Sequence, residues 1–192
     1  MPRTVLAPAP ASTSLAAASA ALRRLYLLRF AFAAVWAVLL FTTADTLGPF
    51  SAALLVIYPL FDVGCAVADL RSARANGAPS RGLQANIVLS TVTAAALVAA
   101  SLSGIPAVLR VWGAWAITAG LVQLVVGVLR RGLRGQWPMI ASGGLSTLAG
   151  GSFIVQAGQD GASLGALAGY AFLGGVFFLV SALRMGRVGT TA

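Results

Sequence analysis

The chain has 192 residues, of which 59% are hydrophobic and only 9% charged, with a formal net charge of +9. A soluble domain of this length needs far more polar surface, so lipid has to solvate most of it. The charge comes from 13 arginines against four aspartates, without Lys, Glu or His. With Cys65 as the only thiol, the usual metal clusters and the Ser–His and Cys–His dyads are excluded. That argues against an enzyme, a metal site or any other cofactor.

Residues 1–22 are rich in Pro, Ala, Ser and Thr, and Pro8 and Pro10 interrupt what would be the apolar core of a signal peptide. This segment reads as a disordered cytoplasmic tail that turns helical near Leu15, with a cleaved signal as the alternative. A first span is predicted over about 25–43, since some 20 helical residues cross the roughly 30 Å hydrocarbon layer. It carries Arg29 near its start and Trp36 inside it. Arg29 lies only about 9 Å along the helix from Arg23, within reach of the interface by snorkelling.

The second span, about 50–70, holds Asp62, the one acid well inside an apolar run, with Pro59 just before it. Proline lacks a backbone N–H, so the helix should loosen near residues 55–59 and leave a carbonyl or two free. A basic connection follows with Arg71, Arg74 and Arg81. The third span, about 84–103, is rich in Ala, Ser and Thr and is expected inside a bundle, where small residues allow close approach.

The fourth span, about 109–129, opens with Arg110, Trp112 and Trp115, which suits an interfacial belt. Gly113, Gly120 and Gly127 recur every seven residues, so they share one stripe of the helix, a packing seam. The fifth, about 137–156, carries Ser142, Ser146 and Gly150, then Gly143, Thr147 and Gly151, at four-residue spacing. The sixth, about 162–183, is entered through Gly161, Gly165 and Gly169. Such series predict close helix contacts. Residues 188–192 form a short tail.

The arginines fix an orientation. Arg3, Arg23, Arg24 and Arg29, then Arg71, Arg74 and Arg81, then Arg130, Arg131 and Arg134, and last Arg184 and Arg187 fall on one side of these spans, and only Arg110 falls on the other. The positive-inside rule then places both termini in the cytoplasm, with six spans and contacts to anionic lipid headgroups; arginine without lysine in an Ala-rich chain suggests a GC-rich bacterial genome and hence an inner membrane. No soluble basic face collects for nucleic acid. A faint repeat relates Leu83–Ser90 to Gly135–Ser142, and Gly120–Arg130 to Gly174–Arg184, which suggests three parallel two-helix hairpins. Parallel units count against the inverted repeats of many alternating-access transporters.

Asp62 is the leading candidate for function, because an acid at that depth is either neutral or paired with a cation. Arg29 is its expected partner, the two differing by about 5 Å in depth. A structural tie between helices is the competing account. Gln123 adds a polar group on roughly the glycine side of the fourth span, and Arg110 is a candidate outer contact for an anion or headgroup. Asn86 and Gln156, near span ends, need little explanation.

Three motifs carry a family resemblance. Trp112-Gly113-x-Trp115-Ala116-x-x-x-Gly120, Gly135-Gln136-Trp137-Pro138-Met139-Ile140-x-Ser142-Gly143 and Gly169-Tyr170-x-x-x-Gly174-Gly175-x-x-Phe178 resemble the HdeD-like acid-resistance membrane proteins. The resemblance covers the C-terminal eighty or so residues, and the first pair of spans only in hydropathy. It implies a six-helix integral membrane protein with a stress or acid-resistance association, and brings no catalytic residues. The sequence therefore predicts an all-α membrane protein of three hairpins that acts by structure or interaction, with oligomerisation left open. The alternative is a small proton- or ion-linked transporter or channel that uses Asp62.

Overall fold

A long apolar stretch cannot hydrogen-bond its backbone to lipid, and a helix satisfies those groups within one segment. Six helices form: α1 (Ala11–Phe41), α2 (Pro49–Ala75), α3 (Arg81–Ser101), α4 (Ile105–Leu129), α5 (Trp137–Gln156) and α6 (Gly165–Val188). They are seen in a computed structural model that describes the backbone of residues 11–75, 77, 79–129 and 137–188, and the side chains of 20–75, 77, 79–125, 128, 137 and 140–184. Arg3, Arg130, Arg131, Arg134 and residues 189–192 lie outside the described residues, as do the side chains of Gly127 and Arg187.

Among the described residues five helices are long and apolar enough to cross a membrane, namely α2, α3, α6, the part of α1 from Ala20 and the part of α4 up to Val125. Helix α5 has the predicted bounds, with the side chains of Pro138 and Met139 outside the described residues. At the start of the chain α1 begins at Ala11, about one turn before the helical onset expected near Leu15, as alanine's high helix propensity prevails over the polar Ser and Thr between.

The close approaches between helices run round a ring, α1 to α2, α2 to α3 and so on, closed by α6 against α1. Close backbone approaches alternate with wider ones. The α2–α3, α4–α5 and α6–α1 backbones approach along broad faces, whereas those of α1–α2, α3–α4 and α5–α6 stand further apart. The predicted hairpins are therefore the pairs with separated backbones, and between α1 and α2 large side chains fill the gap, Phe32 stacking on Phe61 with centroids 3.7 Å apart. A two-helix unit repeated around a ring produces this alternation when its outward faces bring backbones closer than its inward one does.

Glycine explains the broadest face. A Cβ on Gly113 would sit 2.7 Å from the Gly150 carbonyl oxygen, and one on Gly150 would sit 2.6 Å from that of Gly113. Gly120 and Gly143 stand in the same relation, each 2.7 Å from the other's oxygen. Each seven-residue step along α4 is matched by a seven-residue step back along α5, so two antiparallel backbones touch at both crossings. The series in α6 behaves differently. Gly161 takes a φ of 77° in the turn before the helix, Gly165 makes only ordinary contacts, and a Cβ on Gly169 would meet nothing. Gly161 serves the turn, because only glycine enters that region without strain.

The two ends of the ring differ. Around the connections 42–48, 102–104 and 157–164 the centre is filled by Trp36, Leu40, Leu55, Leu97, Leu109, Trp112, Leu164 and Leu167, all buried. Leu164 N donates to the Ala44 carbonyl at 2.8 Å, which ties two of those connections together. Outward-facing side chains such as Val35, Val38, Val92, Leu148 and Val155 are exposed and apolar, as a lipid-facing surface requires.

Candidate functional site

Toward the arginine-bearing end the ring is hollow. A cavity of about 550 Å³ is lined by all six helices: Tyr26 from α1, Tyr58 and Asp62 from α2, Asn86 from α3, Trp115 and Gln123 from α4, Ser142 and Ser146 from α5, and Tyr170 with Phe178 from α6. Among the described residues Asp62 is the only charged one on its wall.

The floor of the cavity is aromatic. Tyr58 packs against Trp36, Trp112 and Trp115 with ring centroids 4.6, 5.3 and 6.2 Å apart, and Trp36 stacks on Trp112 at 5.5 Å. Trp112 and Trp115 do not form the interfacial belt expected of them. They turn inward, and their indole Nε1 atoms are buried without a hydrogen-bond partner. Trp36 does find one, donating from Nε1 to the Leu54 carbonyl at 2.7 Å. That carbonyl lies one position before Leu55, whose usual donor Pro59 cannot supply, so it falls at the edge of the predicted loosening.

Asp62 sits one turn beyond Tyr58 and gathers three helices. Arg29 Nη1 donates to its Oδ1 at 2.9 Å, while Asn86 Nδ2 and Ser90 Oγ donate to its Oδ2 at 2.7 and 2.9 Å. The Arg29 and Asp62 side chains are only 16% and 17% exposed, so the pair is largely out of water. Arg29 also lies over the Phe178 ring, 5.0 Å from its centroid, and its Nε is buried without a partner. Rather than snorkelling outward, Arg29 turns inward, because the acid is nearer than the interface.

Asn86 and Ser90 were missed as site residues. The available signal was their four-residue spacing, which puts both on one face of α3 at about the depth of Asp62. Tyr170 also went unremarked as a site residue; it hydrogen-bonds Ser146 between α6 and α5. Gln123 reaches the cavity wall, whereas Arg110 is exposed near the start of α4, well away from it. Gln156, at the far end of α5, has a buried Oε1 without a partner. Among the described residues no cluster of three His, Cys, Asp or Glu could hold a metal, and Cys65 is a buried free thiol.

In chemical terms the site is a carboxylate held by two neutral donors and one cation, at the edge of a chamber walled by aromatic rings and hydroxyls. No family model matches the chain, and no characterised protein or solved structure matches it either.

Proposed function

We propose that this chain is a six-span membrane protein, with both termini on the cytoplasmic side, that carries a small solute through the ring cavity in a proton- or ion-linked step centred on Asp62. The observation that carries this reading is the cavity itself, about 550 Å³ with one carboxylate on its wall. Small-molecule sites are mostly apolar chambers of a few hundred Å³ with a few placed polar groups. An ionisable residue at membrane depth is costly and most often marks a path or binding site.

The six-span topology draws support from two features. Arg71, Arg74, Arg81 and Arg184 belong to helix ends at the open end of the ring, Arg23 and Arg24 lie in α1 toward that same end, and Arg110 is at the other. Three hydroxyls of α5 are also satisfied within protein, since Thr147 Oγ1 donates to the Gly143 carbonyl, Ser152 Oγ to that of Ala149, and Ser146 pairs with Tyr170. A helix so satisfied crosses lipid at less cost than its composition suggests.

The test is proton flux into sealed proteoliposomes at neutral and acidic external pH, comparing wild type with Asp62→Asn. Flux in wild type that is lost in a folded variant supports the transporter. Folded wild-type protein with no flux above empty liposomes removes it. One observation favours a second reading, a scaffold acting by structure or interaction in membrane stress, as the HdeD resemblance implies. Both oxygens of Asp62 already accept hydrogen bonds, as in a tie that fixes helix register. In that case loss of Asp62 would lower folded yield and leave flux at the empty-liposome level throughout.

A further inference from the structure

Resting on the solute-cavity reading, we propose that the ligand of this chamber is a small organic monocation, an amine or quaternary ammonium, and that Arg29 is a tethered stand-in which the ligand displaces from Asp62. The two sides of Asp62 are held unequally. On Oδ2, Asn86 and Ser90 of α3 supply two short hydrogen bonds from neutral donors. These keep the carboxylate in place whatever occupies Oδ1.

On Oδ1, Arg29 makes a single contact through Nη1, far from the two-pronged pairing a guanidinium can offer a carboxylate, and its Nε is left buried and unpaired. A cation with no such orphaned donor can take its place at little cost. Arg29 has somewhere to go. It lies about two turns from Arg23, so its long side chain can reach toward the headgroups.

The chamber is already shaped for a cation. The guanidinium of Arg29 lies over the Phe178 ring, and that ring lines the cavity. Tyr26 packs on Phe178 at 5.5 Å, and Tyr58 and Trp115 add aromatic rings at the floor. Faces of aromatic rings attract cations, most strongly where water is excluded. With Asp62 as the one charged residue on the wall among the described residues, departure of Arg29 leaves a carboxylate there without its cation. An anion would meet the wrong sign. A neutral solute would gain the aromatic contact without the charge.

The test compares benzyltrimethylammonium with its uncharged carbon isostere neopentylbenzene, each titrated against purified wild-type protein in detergent micelles without protein-free partition counted as binding. Tryptophan fluorescence supplies the signal, since Trp115 lines the cavity. The cation is expected to bind about tenfold more tightly or better, the scale of a desolvated cation–π contact with a nearby carboxylate. Arg29→Gln, which removes the stand-in, should tighten cation binding further and leave the isostere unaffected. Equal binding of the two probes overturns the proposal without any variant, and so does weaker cation binding in folded Arg29→Gln. If Arg29→Gln fails to fold, Phe178→Leu serves in its place and should weaken the cation alone; an unchanged preference there also counts against the proposal. Failure of the two readings can be told apart. Cation-selective binding without flux would remove transport and keep the ligand class, whereas flux without cation selectivity would do the reverse.

Discussion

The two halves of the ring solve one geometric problem in opposite ways. Six helices packed only on their neighbours leave a hole along the axis, wider than one side chain can fill. In the sealed half, Trp36 and Trp112 with leucines from α1, α2, α3, α4 and α6 meet across that axis and close it. In the open half the inward positions carry Asn86, Ala119, Ser142, Ser146, Gly174 and Ser181, and a chamber remains. Backbone arrangement alone does not decide between plug and cavity; side-chain volume at the axis does. The polar pair sits at the boundary, where Asp62 is sheltered by the plug on one side and faces the chamber on the other.

The largest effect is expected from the plug. Trp112→Ala removes a fully buried indole whose neighbours cannot collapse into the space without moving a helix, and should cost about 3–5 kcal/mol. The loss is read as a lower unfolding midpoint in detergent or as lost folded yield. If it costs under about 1 kcal/mol, the sealed half is not the stable half and the contrast between halves is wrong. Next comes the boundary. Asp62→Asn removes the partner of Arg29, whose side chain then turns toward the headgroups, and should cost about 1.5–3 kcal/mol, the scale of hydrogen bonds to a charged group. Arg29→Gln combined with Asp62→Asn should cost less than the two single losses added, since both remove the same contact. A double variant as unstable as the two single losses added would mean that Arg29 and Asp62 act independently and that their contact contributes nothing.

Smaller again is the α4–α5 seam, which runs through both halves. Gly113→Ala lies toward the plug and Gly120→Ala beside the chamber, and in each the new methyl meets backbone oxygen at 2.7 Å. Each should cost about 1–3 kcal/mol by overpacking. Similar losses would show that the seam is continuous; a much smaller one at Gly120 would show that the chamber lets α5 move aside.

How far the sequence displays this arrangement varies from residue to residue. Helix bounds follow from length and hydropathy, and α5 coincides with its predicted span because Pro138 and the break after Gln156 limit it. The seven-residue glycine rhythm of α4 was readable, and so was the Arg29–Asp62 pairing, since helix rise alone puts the two at similar depth. Ring closure was not. Nothing local to α1 or α6 says that they meet, and Gly175 against Ala33 is a contact between residues more than a hundred positions apart. The cavity was invisible for a related reason. The small side chains on its wall come from three helices, Ala116 and Ala119 of α4, Ser142 and Ser146 of α5, and Gly174 and Ser181 of α6, and each is unremarkable in its own segment. Trp112 and Trp115 misled because an indole at a span end is equally at home in headgroups or in a core, and only the neighbours decide.

The smallest expected effect is also the one with a reversed sign, and it comes from two adjacent glycines of α6. A Cβ on Gly174 meets nothing within 4 Å, because it enters the chamber. Gly174→Ala should therefore stabilise the helix by about 0.5–1 kcal/mol, the ordinary gain for that exchange inside a helix. At Gly175 the same methyl would lie 3.0 Å from the Ala33 Cβ and 3.5 Å from the Phe30 ring, on the broad α6–α1 face. There the helical gain is offset by crowding, and Gly175→Ala should come out neutral or slightly destabilising. Because the two positions share one helix and one pair of residue types, intrinsic propensity cancels in the difference between their unfolding midpoints. What is left measures the space on either side of α6. A stabilised Gly174→Ala beside an unimproved Gly175→Ala is the pattern of a helix with a chamber on one face and a packed partner on the other; equal shifts would mean that α6 has no such faces, and that the open half is filled.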